Sequence, residues 1–470
     1  MTILTDTPAA PASASLSRRF YNTAWRWHFY AGLYVAPFLI MLAVTGLIML
    51  WSAVLVGRDG EKYYKVTSAG PELSVSQQAE AALSTIPEGV LVQYIAPRTP
   101  EQPAVFRINQ GEQSIMVAVD PHTAKVLGEW QRRNALYDLA NVIHGTLLIG
   151  EVGDRLIEIA AGFGVVLIIT GLYLWWPREG SFTGVLVPRL SARGRQFWKS
   201  LHLTVGFYVS AILLVFLLSG LTWTGIWGEK FTQAWSTFPA EKWDNVPLSD
   251  STHASMNHGG IKEVPWTLEQ TPMPMSGSAA GVAGIVDGTP VNIDSVVALA
   301  RSLGFDGRFQ LGLPSDETGV WTIARDTMSN DSGNPFSDRT VHIDQYTGKV
   351  LVDVGFADYG VAGKAMAAGI AFHEGDMGAW NVALVTIFCL SVIFLAVSGV
   401  AMWWMRRPKG AGARLLAPRV GEAGPLWKSG ALIMLAVSLL FPLTGAVLIG
   451  VLLLDFAVLR HIGPLKRALG

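Results

Sequence analysis

The sequence predicts a polytopic α-helical membrane protein that carries two small α+β domains outside the membrane. Half of the 470 residues are hydrophobic and only 15% are charged, whereas about 25% of the residues in a soluble protein are charged. Five apolar stretches are long enough to cross a bilayer. A pattern of apolar stretch, polar segment and apolar stretch also occurs twice along the chain.

The apolar stretches divide the chain into membrane helices and polar segments. A spanning helix needs about 20 apolar residues, and each stretch reaches that length. The predicted spans lie at 28–54, in the apolar part of 140–176, at 202–227, in the apolar part of 372–405, and at 430–458. The polar segments are 1–27, 58–135, 177–200, 228–370, 406–428 and 459–470.

Basic residues concentrate in alternate polar segments, namely 1–27, 177–200 and 406–428. Positively charged short loops stay in the cytoplasm. We therefore expect 58–135 and 228–370 on the opposite side, which is the periplasm for a bacterial inner membrane. The tail 459–470 is also basic, although five spans place it outside, so its side stays open.

The two halves of the chain share local motifs, which predicts an internal duplication. The first apolar stretch of each half begins with a similar motif, and a Thr-Gly or Ser-Gly pair follows inside it. A second such pair precedes two tryptophans in the later stretch. The matching motifs are Trp25-Arg-Trp-His28-x3-Gly32 and Trp198-Lys-Ser-Leu-His202-x3-Gly206, Thr45-Gly46 and Ser219-Gly220, and Thr170-Gly-Leu-Tyr-Leu-Trp-Trp176 and Ser398-Gly-Val-Ala-Met-Trp-Trp404.

Four of the nine histidines occupy equivalent positions in this repeat. His28 and His202 lie at the cytoplasmic starts of the first and third spans, and His144 and His373 lie at the outer approaches to the second and fourth. Two histidines on different helices at one depth can supply both axial ligands of a haem. The sequence therefore predicts two b-type haems, held by an inner pair (His28/His202) and an outer pair (His144/His373). A proton relay or a non-haem metal site stays open as an alternative.

Four further residues are predicted to contact the inner haem. Gly32 and Gly206 follow their histidines by four residues, so they lie on the same helix face one turn deeper. A porphyrin needs that face to be free of side chains, although small residues also serve helix packing. Arg26 and Lys199 lie at the cytoplasmic edge, where they can meet haem propionates.

Each long polar segment predicts a short helix followed by four strands, which is a small α+β domain. Both domains end in the pattern Asp-x2-Thr-x-Lys-Val. His122 and His342 lie within or beside this pattern and are expected at the surface. A loose group of soft ligands precedes the second domain, and such ligands suit copper. The spacing of the group matches no closed site, so a flexible loop is the other interpretation. Its members are His253, Met256, His258, Met273 and Met275.

Several classes of function are excluded or not supported. The chain has no Gly-x-Gly-x-x-Gly followed by a helix, no P-loop and no His-Glu-x-x-His motif. Its single cysteine, Cys389, excludes an intrachain disulfide and a cysteine-based iron–sulfur site. The net charge of −1 gives no reason to expect nucleic acid. If the chain moves electrons, a partner protein or a membrane quinol must supply them.

These motifs resemble those of the PepSY-associated transmembrane proteins. The resemblance extends over nearly the whole chain and includes the motif around His28 and the segment Phe372-His-Glu-Gly-Asp376. Relatives in this family include inner-membrane reductases that release iron from ferric siderophores in the periplasm. The resemblance implies that His28, His144, His202 and His373 bind two haems that form an electron path across the membrane.

The expected function is therefore a transmembrane dihaem reductase in a bacterial inner membrane. A cytoplasmic reductase or the quinol pool would supply electrons, and a ferric siderophore or another periplasmic ferric chelate would accept them. No catalytic acid or base was identified, and outer-sphere electron transfer needs none. Two alternatives remain. One is a non-enzymatic module whose PepSY-like domains bind or inhibit a peptidase or scaffold an assembly, and the other is a copper-handling protein.

Overall fold

The chain forms two compact units, one helical and one built around a sheet. The computed structural model describes residues 16–132, 135–178, 182–232, 240–257, 264–408, 414–418, 427–458 and 461–462. The helical unit comprises Met1–Ala43, Ile149–Trp227 and Leu390–Gly470. The sheet unit comprises Val44–Leu148 and Gly228–Cys389. Helices and strands are numbered along the chain.

Among the described residues, four helices are long and apolar enough to cross a membrane. They are α1 (Leu16–Leu55), α4 (Glu151–Trp175), α6 (Arg195–Leu221) and α9 (Ala379–Arg406). A short helix, α5 (Thr183–Leu186), lies between α4 and α6. These helices confirm the prediction of a polytopic membrane protein and correspond to the first four predicted spans.

The fifth apolar stretch is broken, so the prediction of a single span at 430–458 is wrong. It forms α10 (Trp427–Leu440) and α11 (Pro442–Ala457). Pro442 has no N–H to continue the helix. Each piece is about 21–24 Å long at 1.5 Å per residue, which is shorter than a bilayer core of about 30 Å. A Cβ atom at Gly445 would lie 2.5 Å from the Cα atom of Ser438, so the chain reverses and α11 packs on α10.

Contacts with α4 and α6 show the direction of α11. Trp227, just beyond α6, donates its indole N–H to the carbonyl of Leu440 at 2.9 Å. The backbone N–H of the preceding residue, Ile226, bonds Glu158 of α4 at 3.2 Å. Thr444 packs against Gly162, one turn from Glu158 toward the carboxyl end of α4. The chain thus turns beside the end of α6, and α11 runs back along α4.

The sheet unit contains one eight-stranded antiparallel sheet in the order β10-β9-β8-β7-β1-β2-β3-β4. Its strands are β1 (Val90–Ile95), β2 (Ala104–Gln110), β3 (Gln113–Val119), β4 (Val126–Gln131), β7 (Gln310–Gly312), β8 (Val320–Arg325), β9 (Arg339–Asp344) and β10 (Val350–Gly355). The prediction of two separate domains is therefore wrong, although the predicted elements are present. β1 pairs with β7, with Tyr94 opposite Leu311. This pairing gives the backbone groups of the edge strand of each half their hydrogen-bond partners.

Helices α2 (Val75–Ser84) and α7 (Ile293–Ser302) begin at similar capping boxes. The Ser74 side chain accepts the N–H of Gln77, and the Asn292 side chain accepts the N–H of Ser295. Such caps satisfy N–H groups that have no partner within the helix. Both helices pack on one face of the sheet, over a core that includes Phe106, Phe305, Phe309, Ile323 and Ile343.

The other face of the sheet carries a buried ion-pair network. The Arg308 side chain is 2% exposed and pairs with Asp59, and its Nε donates to Asp331 at 2.9 Å. Asp59 lies in the segment that directly follows α1. The network therefore ties the end of α1 to the sheet, since a buried charge that loses its partner is costly.

Two short helices are separate from the membrane helices that follow them in the chain. They are α3 (Leu136–Thr146) and α8 (Val361–Glu374), and each has a histidine in its last turn. Left-handed residues end both helices, Leu147 at φ 53° and Gly375 at φ 87°. A smaller sheet of β5 (Leu248–Thr252) and β6 (Pro272–Pro274) lies within the segment before α7.

Candidate functional site

The imidazole of His28 is held by a hydroxyl group on a neighbouring helix. Its Nδ1 atom lies 3.0 Å from Oγ1 of Thr170 on α4. The Thr170 hydroxyl donates its own proton to the carbonyl of Val166 at 2.6 Å. The hydroxyl must then accept from His28, so the proton of this neutral imidazole is on Nδ1. The other nitrogen, Nε2, carries the lone pair that a metal needs.

His202 has the same arrangement in the second half of the chain. Its Nδ1 atom lies 2.8 Å from Oγ of Ser398 on α9, and Ser398 donates to the carbonyl of Leu395 at 3.0 Å. The tautomer that follows again leaves the lone pair on Nε2. The structure thus places both histidines of the predicted inner pair in the helical unit.

Glycines allow both rings to approach the neighbouring helix. A Cβ atom at Gly171 would lie 3.1 Å from Cε1 of His28, and one at Gly399 would lie 3.7 Å from Cε1 of His202. These glycines directly follow Thr170 and Ser398. The sequence showed these two pairs as matches between the repeats, and their contact with the histidines was not predicted. The recurrence of a hydroxyl residue before glycine was the signal for that contact.

The other residues predicted near the inner pair have different surroundings. Gly32 and Gly206 approach Leu167 and Leu395, with Cβ positions 3.7 Å and 3.6 Å from the leucine methyl groups. The guanidinium of Arg26 donates to the carbonyl of Pro418 at 3.0 Å, and Lys199 is exposed. Contacts of these four residues with a porphyrin or its propionates stay a prediction.

His144 on α3 also meets a hydroxyl group followed by glycine. Its Nδ1 atom lies 2.8 Å from Oγ1 of Thr45 on α1, and a Cβ atom at Gly46 would lie 3.8 Å from its Cε1. The sequence left open whether His144 belongs to an extended membrane helix or to a short separate segment. The structure places it on the short helix α3, which ends before α4 begins.

His373 occupies the last turn of α8, and neighbouring residues connect α8 to α1 and α3. Arg58 lies 3.8 Å from the carboxylate of Glu374 and stands over the ring of Tyr137 on α3, 5.5 Å from its centroid. The side chain of Leu50 on α1 packs against Gly375. The segments that carry His144 and His373 therefore share Arg58 and the outer part of α1 as neighbours.

His253 and His342 form a buried pair in the sheet unit. Their Nε2 atoms are 2.8 Å apart, and the two residues are 0% and 1% exposed. His253 donates from Nδ1 to the carbonyl of Thr271 at 2.9 Å, so its Nε2 accepts from His342. Burial lowers the pKa of His253 to about 4 and holds that of His342 well below its ordinary value.

This pair changes two predictions from the sequence. The prediction that His342 lies at the surface is wrong, since β9 turns this side chain into the core. The ring nitrogens of His253 already bond His342 and Thr271, and Met256 and Met273 pack against the core. This arrangement does not support the copper interpretation for the described part of the segment, while His258 lies outside the described residues.

The inner pair offers two imidazole ligands, and this number suits a haem. Among the described residues, no group of three or more His, Cys, Asp or Glu side chains could hold a metal ion. Non-haem metal sites commonly use three or four protein ligands, whereas a porphyrin supplies the equatorial nitrogens and leaves only the axial positions to the protein. The residues of the inner pair therefore fit a haem better than a bare metal ion.

The fold and these histidines define a class of protein: a polytopic membrane protein that has two histidines on its membrane helices and a second unit built around a sheet. The family model of the PepSY-associated TM region matches residues 25–406. The chain therefore belongs to the PepSY-associated transmembrane family. No curated protein matches the chain.

Proposed function

We propose that the chain is a transmembrane dihaem reductase of a bacterial inner membrane. His28 and His202 hold the inner b-type haem, and His144 and His373 hold the outer one. A haem iron supplies one-electron chemistry by alternating between its ferric and ferrous states. Electrons enter from a cytoplasmic reductase or the quinol pool and leave to a ferric siderophore or another ferric chelate in the periplasm.

One observation carries this proposal, namely the hydroxyl group on Nδ1 of both inner histidines. Thr170 and Ser398 accept the Nδ1 protons of His28 and His202 at 3.0 Å and 2.8 Å. Histidines that bind metals through one nitrogen usually donate a hydrogen bond from the other, which fixes the ring and its tautomer. Two imidazoles whose Nδ1 atoms are bonded in this way, on different helices of the same unit, match the needs of axial ligation.

The proposed substrate class follows from the chemistry of iron release. Fe²⁺ is a weaker partner than Fe³⁺ for oxygen-rich chelators, so adding one electron loosens the complex. Outer-sphere transfer of this kind needs no proton donor or nucleophile. The chain then has to bind the chelate near the outer histidines and to keep the ligating imidazoles fixed.

An absorption spectrum of the purified full-length protein tests the proposal. We expect a dithionite-reduced α band of b haem in the wild type, and a weaker band in His28→Ala and His202→Ala. His122→Ala, a change of a histidine in the turn between β3 and β4 and outside both pairs, is the matched control and should keep the full band. A colourless but folded protein from haem-replete cells would contradict the proposal and favour a non-enzymatic module.

The substrate requires a second measurement. Anaerobically reduced protein should be reoxidised when a ferric siderophore is added, and the reoxidation should be followed at the α band. A gallium siderophore is the matched control, because Ga³⁺ has the same charge as Fe³⁺ and a similar radius but is not reduced under these conditions. Equal reoxidation by both complexes, or by neither, would contradict a ferric-siderophore reductase.

A further inference from the structure

The loop that joins α4 to α6 lies along the side of α6. Its described part after α4 comprises residues 182–194 and contains the short helix α5. Thr204 of α6 donates its hydroxyl proton to the carbonyl of Val185 at 3.3 Å, and Tyr208 donates to the carbonyl of Leu186 at 3.3 Å. Thr204 is nine residues from the start of α6, which is about 14 Å along the axis. The loop therefore lies beside a membrane-spanning helix and not beyond its end.

The backbone of this loop is bonded in the way that a region with little water requires. The carbonyl of Val185 also accepts the indole N–H of Trp175 at 3.3 Å, so it has two donors. The backbone N–H of Arg189 donates to the hydroxyl of Ser200 at 2.7 Å. Irregular backbone is tolerated at membrane depth only where its polar groups find such partners. Side chains of α4 and α6 thus hold the loop at the edge of the bilayer.

Three apolar side chains of the loop are exposed. Phe182 is 46% exposed, Val187 is 62% exposed and Leu190 is 69% exposed. The ring of Phe182 packs edge-on against Trp176, which is also exposed. Aromatic and aliphatic side chains at this depth contact lipid at the boundary between acyl chains and headgroups. The loop thus offers an apolar surface to the bilayer.

Basic side chains of the same loop have no carboxylate partner in the described part of the chain. Arg189 and Arg193 are exposed, and neither has an ion pair there. The whole segment 177–200 contains five basic residues and one acidic residue. The positive charge of the segment is therefore in excess even when its acidic residue is counted.

We propose that the loop 182–194 binds an anionic phospholipid. Arg189 and Arg193 pair with the phosphate group, and the exposed apolar side chains contact the acyl chains. The positive-inside rule explains on which side of the membrane basic residues lie, but it does not require exposed apolar residues beside them. Basic clusters next to membrane helices bind acidic lipid headgroups. This surface is separate from the four histidines and does not depend on the proposed haems.

A fluorescent label at position 190 tests the site in the full-length protein. Leu190→Cys is labelled with bimane in a Cys389→Ala background, because Cys389 is the only native cysteine. The protein is placed in nanodiscs that contain brominated phosphatidylglycerol or brominated phosphatidylcholine at equal fractions. Bromine quenches the label only at short range, so quenching reports which lipid lies at the loop. We expect stronger quenching by the anionic phosphatidylglycerol.

Arg189→Gln and Arg193→Gln are then introduced together. Each basic residue near an anionic membrane surface contributes a factor of about five to binding. The preference for phosphatidylglycerol should therefore fall by about tenfold or more when both charges are removed. Lys125→Gln, which removes an exposed charge from the turn between β3 and β4, is the matched control and should keep the preference.

Every outcome supports or overturns the lipid site. A preference that is lost with the two arginines and kept in Lys125→Gln supports it. Equal quenching by both lipids in the protein that retains the arginines would overturn it and show that the loop contacts lipid without selecting a headgroup. No quenching by either lipid would place the loop outside the bilayer and favour a protein partner. A preference that persists without the arginines would overturn their assignment to the phosphate group.

Discussion

At the scale of single residues, a hydroxyl side chain followed by glycine contacts three of the four repeat-related histidines. The pairs are Thr170-Gly171 at His28, Ser398-Gly399 at His202 and Thr45-Gly46 at His144. The hydroxyl binds Nδ1, and the glycine lets the ring approach the helix. A residue that binds no metal thus determines which nitrogen of the histidine is able to bind one.

The first prediction concerns this hydroxyl. Thr170→Val keeps the shape of the side chain and removes the acceptor, so His28 loses the group that fixes its tautomer. We expect about tenfold weaker haem retention, since removal of such partners typically weakens metal binding 10–100-fold. Transfer of haem to apomyoglobin measures the retention. Thr170→Ser keeps the hydroxyl and should behave like the wild type, and equal retention in Thr170→Val would contradict the role.

The second prediction concerns the buried pair His253/His342. Burial lowers the folded-state pKa of His253 to about 4 from 6.5, so the unfolded state binds a proton first as the pH falls. The stability that this histidine contributes is complete above pH 6.5 and is lost between pH 6.5 and pH 4. The loss is at most about 3 kcal/mol.

Melting temperatures across this pH range check the effect. His253→Gln should show a smaller fall in melting temperature than the wild type, and His122→Gln should resemble the wild type. The comparison of variants is needed because burial raises the pKa of Asp338 to about 8. That carboxyl group acts in the opposite sense, since its stabilisation is lost as the pH rises. Identical pH profiles for His253→Gln and the wild type would exclude the effect of His253.

At the scale of elements, the broken fifth stretch determines where the chain leaves the membrane. The contacts of Leu440 and Thr444 show that α10 approaches the end of α6 and that α11 returns. The third prediction is therefore a C-terminus on the cytoplasmic side, where the basic tail satisfies the positive-inside rule. A fluorescent protein fused to Gly470 should fluoresce, and alkaline phosphatase fused there should be inactive.

A control fusion defines the opposite result. Alkaline phosphatase fused after Gly288, in the segment before α7, should be active if the sheet unit is periplasmic. An active phosphatase at both positions would show that the fifth stretch crosses the membrane once. A single continuous span would then replace the hairpin of α10 and α11.

The length of an apolar stretch predicted four helices correctly and the fifth incorrectly, for a physical reason. Hydropathy measures composition and contains no information on where the chain reverses. Pro442 was therefore the main sequence signal for the break between α10 and α11. The short helices α3 and α8 were also difficult to predict, because they are separated from the next spans only by residues such as Gly150 and Gly375. The equivalence of the four histidines was visible in the sequence, because they occupy repeated positions, and their pairing around two haems stays a prediction.

At the scale of the whole molecule, the two halves contribute to one sheet and cannot have independent cores. β1 and β7 pair along three residues, and Gln93 and Gln310 are bonded at 2.6 Å across the joint. Strand content was predictable from alternation and turn motifs. The pairing of β1 with β7 was not predictable, because it depends on which edge strands meet after folding. No local sequence pattern determines that pairing.

The fourth prediction is that the sheet unfolds as one unit. Phe309 is fully buried in the shared core, so Phe309→Ala should cost about 3–5 kcal/mol. Hydrogen exchange in β2, which belongs to the first half, should accelerate along with exchange in β8. Phe336→Ala, a change of an exposed phenylalanine, is the control. Acceleration confined to the second half would show separate domains.

The placement of the outer histidines at helix ends has an electrostatic consequence. His144 and His373 lie in the last turns of α3 and α8, where a helix macrodipole presents its negative end. His28 and His202 lie within long helices instead. Under the proposed function, partial negative charge beside the outer centre favours ferric over ferrous iron and lowers its reduction potential. The last carrier before the substrate would then give up its electron readily.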